Sequence, residues 1–281
     1  LAAQQSRPPD PSSIEVEEVR RIISVLASDD MRGRRAATED AERAAAFLAH
    51  EFEAAGLEPL EGLQGYFQSF SARIREEPLV NVVGMIPGRR SDEFVLFSAH
   101  YDHIGIRPAV DGDSIANGAN DNASGTTAVV TLARYFAQRG TPERTLLFVA
   151  FTAEESGGYG SRYFSTQLDP DQVVAMFNIE MIGKPAVEGP NTAWLTGFER
   201  SSFGEILQEA VAGTEYSFYP DPYPAQNLFY RSDNATLARL GVPAHSISTT
   251  PIDVDRDYHQ VSDHVETLDM AHMPNTIRAI A

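Results

Sequence analysis

Five places in this chain carry side chains that could do chemistry together. They are His100-Tyr-Asp-His103, Asp121, the adjacent pair Glu154-Glu155, Glu180 and the late His259. There is no cysteine, so any metal must be held by imidazole nitrogen and carboxylate oxygen. Such a set suits zinc, manganese or cobalt, with zinc the usual partner of imidazole. Neighbouring glutamates cannot easily chelate one ion from a regular strand. One of the pair can bind metal while the other faces a water as general base. Asp102, two residues beyond His100, points to the same side and can accept the spare ring N–H, fixing the tautomer. A lone histidine at a strand end is more often a hydrogen-bonded structural residue. The recurrence of such positions downstream is what argues for a metal.

The elements that must position these residues follow from the apolar pattern. Phe94 to His100, Thr145 to Phe151 and Val173 to Ile179 read as buried strands. Each ends at or just before one of the polar positions. In open α/β sheets ligands bind at the C-terminal strand edge, so these positions converge there. Further strands are expected at Tyr66–Glu76 and Leu79–Ile86, paired as a hairpin, and at Thr192–Thr196 and Ala244–Ser248. Helices are expected over Ser13–Ala27, from a Thr38 cap to Gly56, and over Thr126–Gln138, Ser201–Ala212, Asp233–Leu240 and Val265–Ala281. A short helix should follow the glycine-rich turn Ser156–Gly160, ending near Gln167. Asp111–Gly118 reads as a polar loop. Glu215–Ser232 is a long aromatic, proline-containing stretch, either a pocket wall or a satellite hydrophobic cluster. Strands alternating with helices predict a three-layer α/β sandwich, with a mixed, mostly parallel central sheet flanked by helices. The expected organisation is a tether over residues 1–13 and one domain over 14–281.

The formal charge of −18 argues against nucleic acid as a partner, because phosphate binding needs a basic face. No apolar run is long enough to span a bilayer. Lys184 is the only lysine. Adaptation to high salt and export from a GC-rich source both fit that bias, and the second is preferred here. The polar, Pro-rich start at Leu1 resembles a trimmed mature N-terminus, so a secreted or periplasmic location is expected.

Taken in order, six stretches resemble the co-catalytic zinc aminopeptidases, the family of bacterial leucyl aminopeptidases and aminopeptidase Y. Glutamate carboxypeptidase and glutaminyl cyclase are its cousins. The stretches are His100-Tyr-Asp-His-Ile-Gly105, Asn117-Gly-Ala-Asn-Asp-Asn-Ala-Ser-Gly125, Ala153-Glu-Glu-Ser-Gly157, Asn178-Ile-Glu-Met-Ile-Gly183, Arg231-Ser-Asp233 and Tyr258-His259. The resemblance implies two zinc ions bridged by Asp121. His100 and Glu180 would complete one shell, and Glu155 and His259 the other. Glu154 would be the general base and Asp102 would orient His100. It further implies hydrolysis of N-terminal residues from peptides by a metal-bridged water, in a protein expected to be monomeric. Phe229, Tyr230 and Tyr223 are the candidates for the side-chain pocket, with Arg231 as a further substrate contact. His50, His103, His245, His264 and His272 are given structural roles. Two positions depart from the family's usual pattern: Glu180 stands for an aspartate and Asn234 for a histidine. The alternatives are a single-zinc glutaminyl cyclase-like acyltransferase, a carboxypeptidase on the same fold, and a non-catalytic binding module.

Overall fold

A computed structural model describes residues 10–73 and 78–281. Its strands are β1 Glu58–Pro59, β2 Phe67–Phe70, β3 Leu79–Ile86, β4 Arg90–His100, β5 Gly105–Val110, β6 Asp113–Ala116, β7 Arg144–Phe151, β8 Val173–Ile179, β9 Thr192–Leu195, β10 Ser217–Pro220 and β11 Ala244–Ser248. Its helices are α1 Val16–Leu26, α2 Glu39–Ala55, α3 Gly125–Ala137, α4 Tyr159–Phe164, α5 Phe203–Ala210, α6 Asn234–Ala238 and α7 His272–Ile280.

Nine strands form one sheet in the order β1-β3-β7-β4-β8-β11-β9-β10, with β2 paired to β3. The central four, β7, β4, β8 and β11, run parallel, while β3 and β9 flank them antiparallel. Side chains alternate across a strand, and both faces of this sheet are covered. Phe97, Phe148 and Ile247 face a core shared with α1, α2, α3 and α7. Leu96, Leu147, Val149 and Met176 face the opposite core, with Phe164 of α4 and Leu237 of α6. The three-layer α/β sandwich is as expected, and its parallel centre puts the ends of β4, β7 and β8 side by side.

Local chemistry explains the bounds. The Thr38 hydroxyl accepts from the Ala41 N–H, and Gly56 ends α2 in the left-handed region at φ +80°. Ala44, Leu48 and Phe52 form the buried stripe of that helix. Several expected elements differ. Asp111–Gly118 is not a loop: β5 and β6 form an antiparallel hairpin, turning at Asp111 and Gly112 with φ of +52° and +92°. The aromatic stretch holds β10, which pairs in parallel with β9. The closing helix is shorter than expected. A 3-10 turn at Val265–Thr267 comes first, and α7 starts at His272. The first hairpin strand stops at Phe70, and the last part of its expected span, 74–76, lies outside the described residues. Among the described residues no helix is long and apolar enough to cross a membrane.

Candidate metal centre

The site lies at the C-terminal edge of the parallel strands. His100 is the last residue of β4, and its Nδ1–H donates to the Asp102 main-chain carbonyl at 3.0 Å. That bond leaves Nε2 facing the Glu180 Oε1 at 3.1 Å and the Asp121 Oδ1 at 3.4 Å. The expected partner was the Asp102 carboxylate, but that group stands 3.9 Å away and accepts from the Glu154 N–H at 3.0 Å instead. Asp102 therefore orients His100 through its backbone, and its carboxylate fixes the loop that carries the two glutamates.

Asp121 lies in the turn that leads into α3. The N–H groups of Asn120 and Asp121 donate to the two carboxylate oxygens of Asp263, at 2.9 and 3.0 Å. Asn122 ties this turn to the end of β8. Its Nδ2 donates to the Ile179 carbonyl, and its Oδ1 accepts from the N–H groups of Gly125 and Met181. Asn120 and Ser124 accept from the N–H groups of Gly183 and Ile182. The Asn-Asp-Asn-Ala-Ser-Gly run is thus a clamp on the segment bearing Glu180. At Gly125 an added Cβ would stand 2.2 Å from the Ile179 carbonyl oxygen, so the close approach requires glycine.

The other carboxylate oxygen of Asp121, Oδ2, faces a second group. His259 Nε2 lies 3.1 Å from it and 3.1 Å from the Glu155 Oε2. His103, taken as structural in the sequence, also belongs here: its Nδ1 lies 3.0 Å from the Glu155 Oε1 and 3.7 Å from Asp121 Oδ2. The ring is fully buried and packs against Gly118, where an added Cβ would come within 2.4 Å of it. Its position three residues beyond His100 was the available signal, but it reads the same for a bystander. Glu180 accepts a 2.6 Å bond from the Ser232 hydroxyl, which itself accepts from Asn178 Nδ2. Asn234 is buried, donating to the carbonyls of Phe229 and Ala244 and accepting from Ser246. An uncharged amide suits that carbonyl-lined position.

Beneath the cluster sits Arg34, fully buried. Its guanidinium donates to four main-chain carbonyls, those of Leu26, Tyr101, Asn117 and Gly118. It joins the chain after His100 to the chain before Asp121. Burial pulls it down to about 10, against the pull of Asp263, Asp102, Asp121 and Glu155, so it stays a cation at neutral pH.

The electrostatics are those of a site built for positive charge. Burial opposes the imidazolium form of His100, yet Glu180 and Asp121 outweigh it and hold the ring well above the usual imidazole range. Hydrogen bonds to Asp121 and Glu155 push His259 up to about 10. Asp121 lies well below the usual carboxylate range, because its contacts with His100 and His259 overcome its burial. Burial pushes Glu154 well above that range, and Asp102 up to about 7. Two donor groups, His100-Asp121-Glu180 and His103-Asp121-Glu155, each bring their ligand atoms within 4.8 Å of one another. Nitrogen and oxygen donors in this number, converging with a demand for cationic charge, fit divalent metal.

A cavity of about 70 Å³ opens onto the cluster, walled by Met181, Trp194, Leu228, Ile252 and Tyr258. Of the residues expected to contact substrate, Arg231 lines it, but Tyr223, Phe229 and Tyr230 do not. Phe229 is turned inward against His245, Tyr223 packs edge-on to Trp194, and Tyr230 stands exposed with the Arg200 side chain over its ring. The stretch Glu215–Ser232 thus lends Leu228 and Arg231 to the wall, while Tyr223 backs it through Trp194.

Residues 81–281 match Peptidase family M28. The chain belongs to that family. A probable leucine aminopeptidase 1 of Trichophyton verrucosum is 30% identical over 210 residues, covering 69% of this chain and 54% of the relative. A probable zinc metalloprotease of Leptosphaeria maculans is 35% identical over 125 residues, covering 43% of this chain and 28% of the relative. The chain thus spans about half the length of the first of these relatives and less of the second. Among solved structures, the Legionella pneumophila LapA aminopeptidase aligns with a TM-score of 0.75 at 19% identity, over 96% of this chain and 71% of that one. A Bacteroides thetaiotaomicron glutaminyl cyclase aligns at 0.73 with 17% identity, over 98% of this chain and 97% of that one. At these identities the two structures share the fold with this chain.

Proposed function

We propose that this chain is a zinc-dependent aminopeptidase with a two-ion centre. The observation that carries the reading is the orientation of Asp121. One of its oxygens faces His100 and Glu180, the other faces His259 and Glu155. A carboxylate so placed suits a bridge between two ions. His100, Asp121 and Glu180 would hold one ion, and Asp121, Glu155 and His259 the other, with His103 orienting Glu155 through Nδ1. When bound, the ions would supply Lewis acidity and lower the pKa of water.

The protein's own residues do the rest. Among the described residues Glu154 lines the cavity beside the cluster without pairing to any of its three imidazoles, and it takes the proton of the attacking water. It then gives that proton to the leaving amine. The carboxylate-rich end of the cavity favours a free α-ammonium. The apolar wall of Met181, Trp194, Leu228 and Ile252 receives the side chain of the N-terminal residue, and Tyr258, stacked on His259, completes the lining. Export and a monomeric state are part of the proposal.

Chelation should abolish hydrolysis of aminoacyl-anilides and added zinc should restore it. Full activity in metal-free protein would overturn the proposal. Metal analysis should find about two zinc ions per chain, and about one would favour the cyclase-like reading.

A further inference from the structure

Glu154 separates the metal cavity from a second one. The second has a volume of about 180 Å³ and is lined by Gly157, Gly158, Arg162, Arg231, Asp233 and Arg239, among others. Three arginines meeting at one cavity are unusual in a chain of net charge −18. Several other arginines of this chain are paired with acids, as Arg21, Arg90, Arg134 and Arg144 are. Among the described residues, none of these three is in an ion pair. Arg231 Nη1 reaches only the Gln226 side-chain oxygen at 3.3 Å, and Arg239 lies over the Tyr230 ring at 5.3 Å. The acids on the wall are Glu154, which faces the reaction, and Asp233, which is 1% exposed. What the cavity offers a visitor is therefore guanidinium. Guanidinium matches a carboxylate fork to fork, and such bonds are strong where water is partly excluded.

Position says which part of the substrate enters. The two cavities share Glu154, Arg231 and Ser232. In the proposed reaction Glu154 hands its proton to the leaving amine, so the residue behind that amine lies on Glu154's far side. That side is the arginine cavity. We infer that the cavity is a carboxylate subsite holding the leaving part of the substrate, so that dipeptides and other peptides with a carboxylate next to the cut bond are preferred. This deepens the aminopeptidase reading and rests on it for direction. The carboxylate has two sources, the chain end of a dipeptide or an acidic side chain in the leaving residue.

The test is calorimetric binding to the zinc-loaded Glu154→Gln protein, which separates binding from turnover. Leucyl-alanine should bind at least about tenfold tighter than leucyl-alanine amide. Arg162→Gln combined with Arg239→Gln should bring the acid down to the amide and leave the amide unchanged. Both side chains are exposed, so the fold should survive their change. Leucyl-glutamic acid α-amide, with its carboxylate on the side chain alone, distinguishes the sources. Binding as tight as the dipeptide means that either carboxylate is accepted, and binding as weak as the amide means that the chain end is read. Acid and amide binding within about twofold of each other, or a preference that survives the arginine changes, overturns the inference. Turnover of leucyl-p-nitroanilide by the wild-type protein is scored separately. No turnover of either that anilide or leucyl-alanine, beside carboxylate-dependent binding, would sink the aminopeptidase reading and leave the subsite standing.

Discussion

Glu154 and Glu155 are neighbours in sequence with opposite surroundings. Glu155 is buried beside Asp121, but His103 and His259 hold it below the usual carboxylate range, whereas burial lifts Glu154 well above it. Glu154→Gln keeps size and hydrogen bonding but cannot take a proton. It should lower kcat by about 10²- to 10⁴-fold with zinc content near wild type. Glu155→Gln should instead lose zinc. Kinetics and metal analysis on both proteins check the assignment, and zinc loss from Glu154→Gln would reverse it. Arg34 supports a second prediction at this scale. Arg34→Met leaves four carbonyls without their donor and removes the cation under the carboxylates. It should cost at least about 3 kcal/mol in urea unfolding and weaken zinc binding. A loss of stability with unchanged zinc affinity would confine Arg34 to the scaffold. The candidate donors His100, Glu155 and Glu180 stood out in the sequence because each ends a strand or follows one closely. His103 did not, because its burial against Gly118 and its contact with Glu155, which distinguish it from a surface histidine, are tertiary. Nor did Arg34, since an arginine whose partners are carbonyls leaves no paired acid to find.

Helices α1, α2 and α3 are held to one another by a charged knot. Glu51 of α2 is bound by Arg21 of α1 at 2.7 Å and Arg134 of α3 at 2.7 Å. Burial pushes Glu51 up, but those two bonds win and hold it below its ordinary 4.5. A depressed carboxylate stabilises the fold above its unfolded value, and that contribution is lost as pH falls through the folded one. Stability should therefore fall on acidification from about pH 5 to about pH 3, less steeply in Glu51→Gln. At about pH 7 the substitution should cost on the order of 2 kcal/mol, since both arginines can still turn to solvent. Parallel slopes for the two proteins would refute this. The helices and central strands were legible because capping residues and apolar periods are local signals. The β5–β6 hairpin was not. Its Asp111-Gly112 turn is a hairpin signature, yet Pro108 and the exposed residues around it hide the strands. The pocket wall was illegible for another reason: Met181, Trp194, Leu228 and Ile252 come from four separate segments.

Across the whole molecule, a net charge of −18 means self-repulsion. Moderate sodium chloride should raise the melting temperature by screening it. A flat or falling curve would contradict that, and a rise continuing far above about 1 M, where screening already acts within roughly 3 Å, would indicate true halophily. The sheet order carries a consequence for assembly. The donors His100, Asp121, Glu155, Glu180 and His259 are spread over most of the chain and meet only where β4 lies between β7 and β8. Loops of that length must close before any two donor groups are neighbours, so a metal cannot nucleate the collapse. On the proposed reading it would arrive last, at a finished edge. Refolding without zinc and adding it afterwards should then recover as much activity as refolding in its presence, with the same rate of tryptophan burial at Trp194 in both.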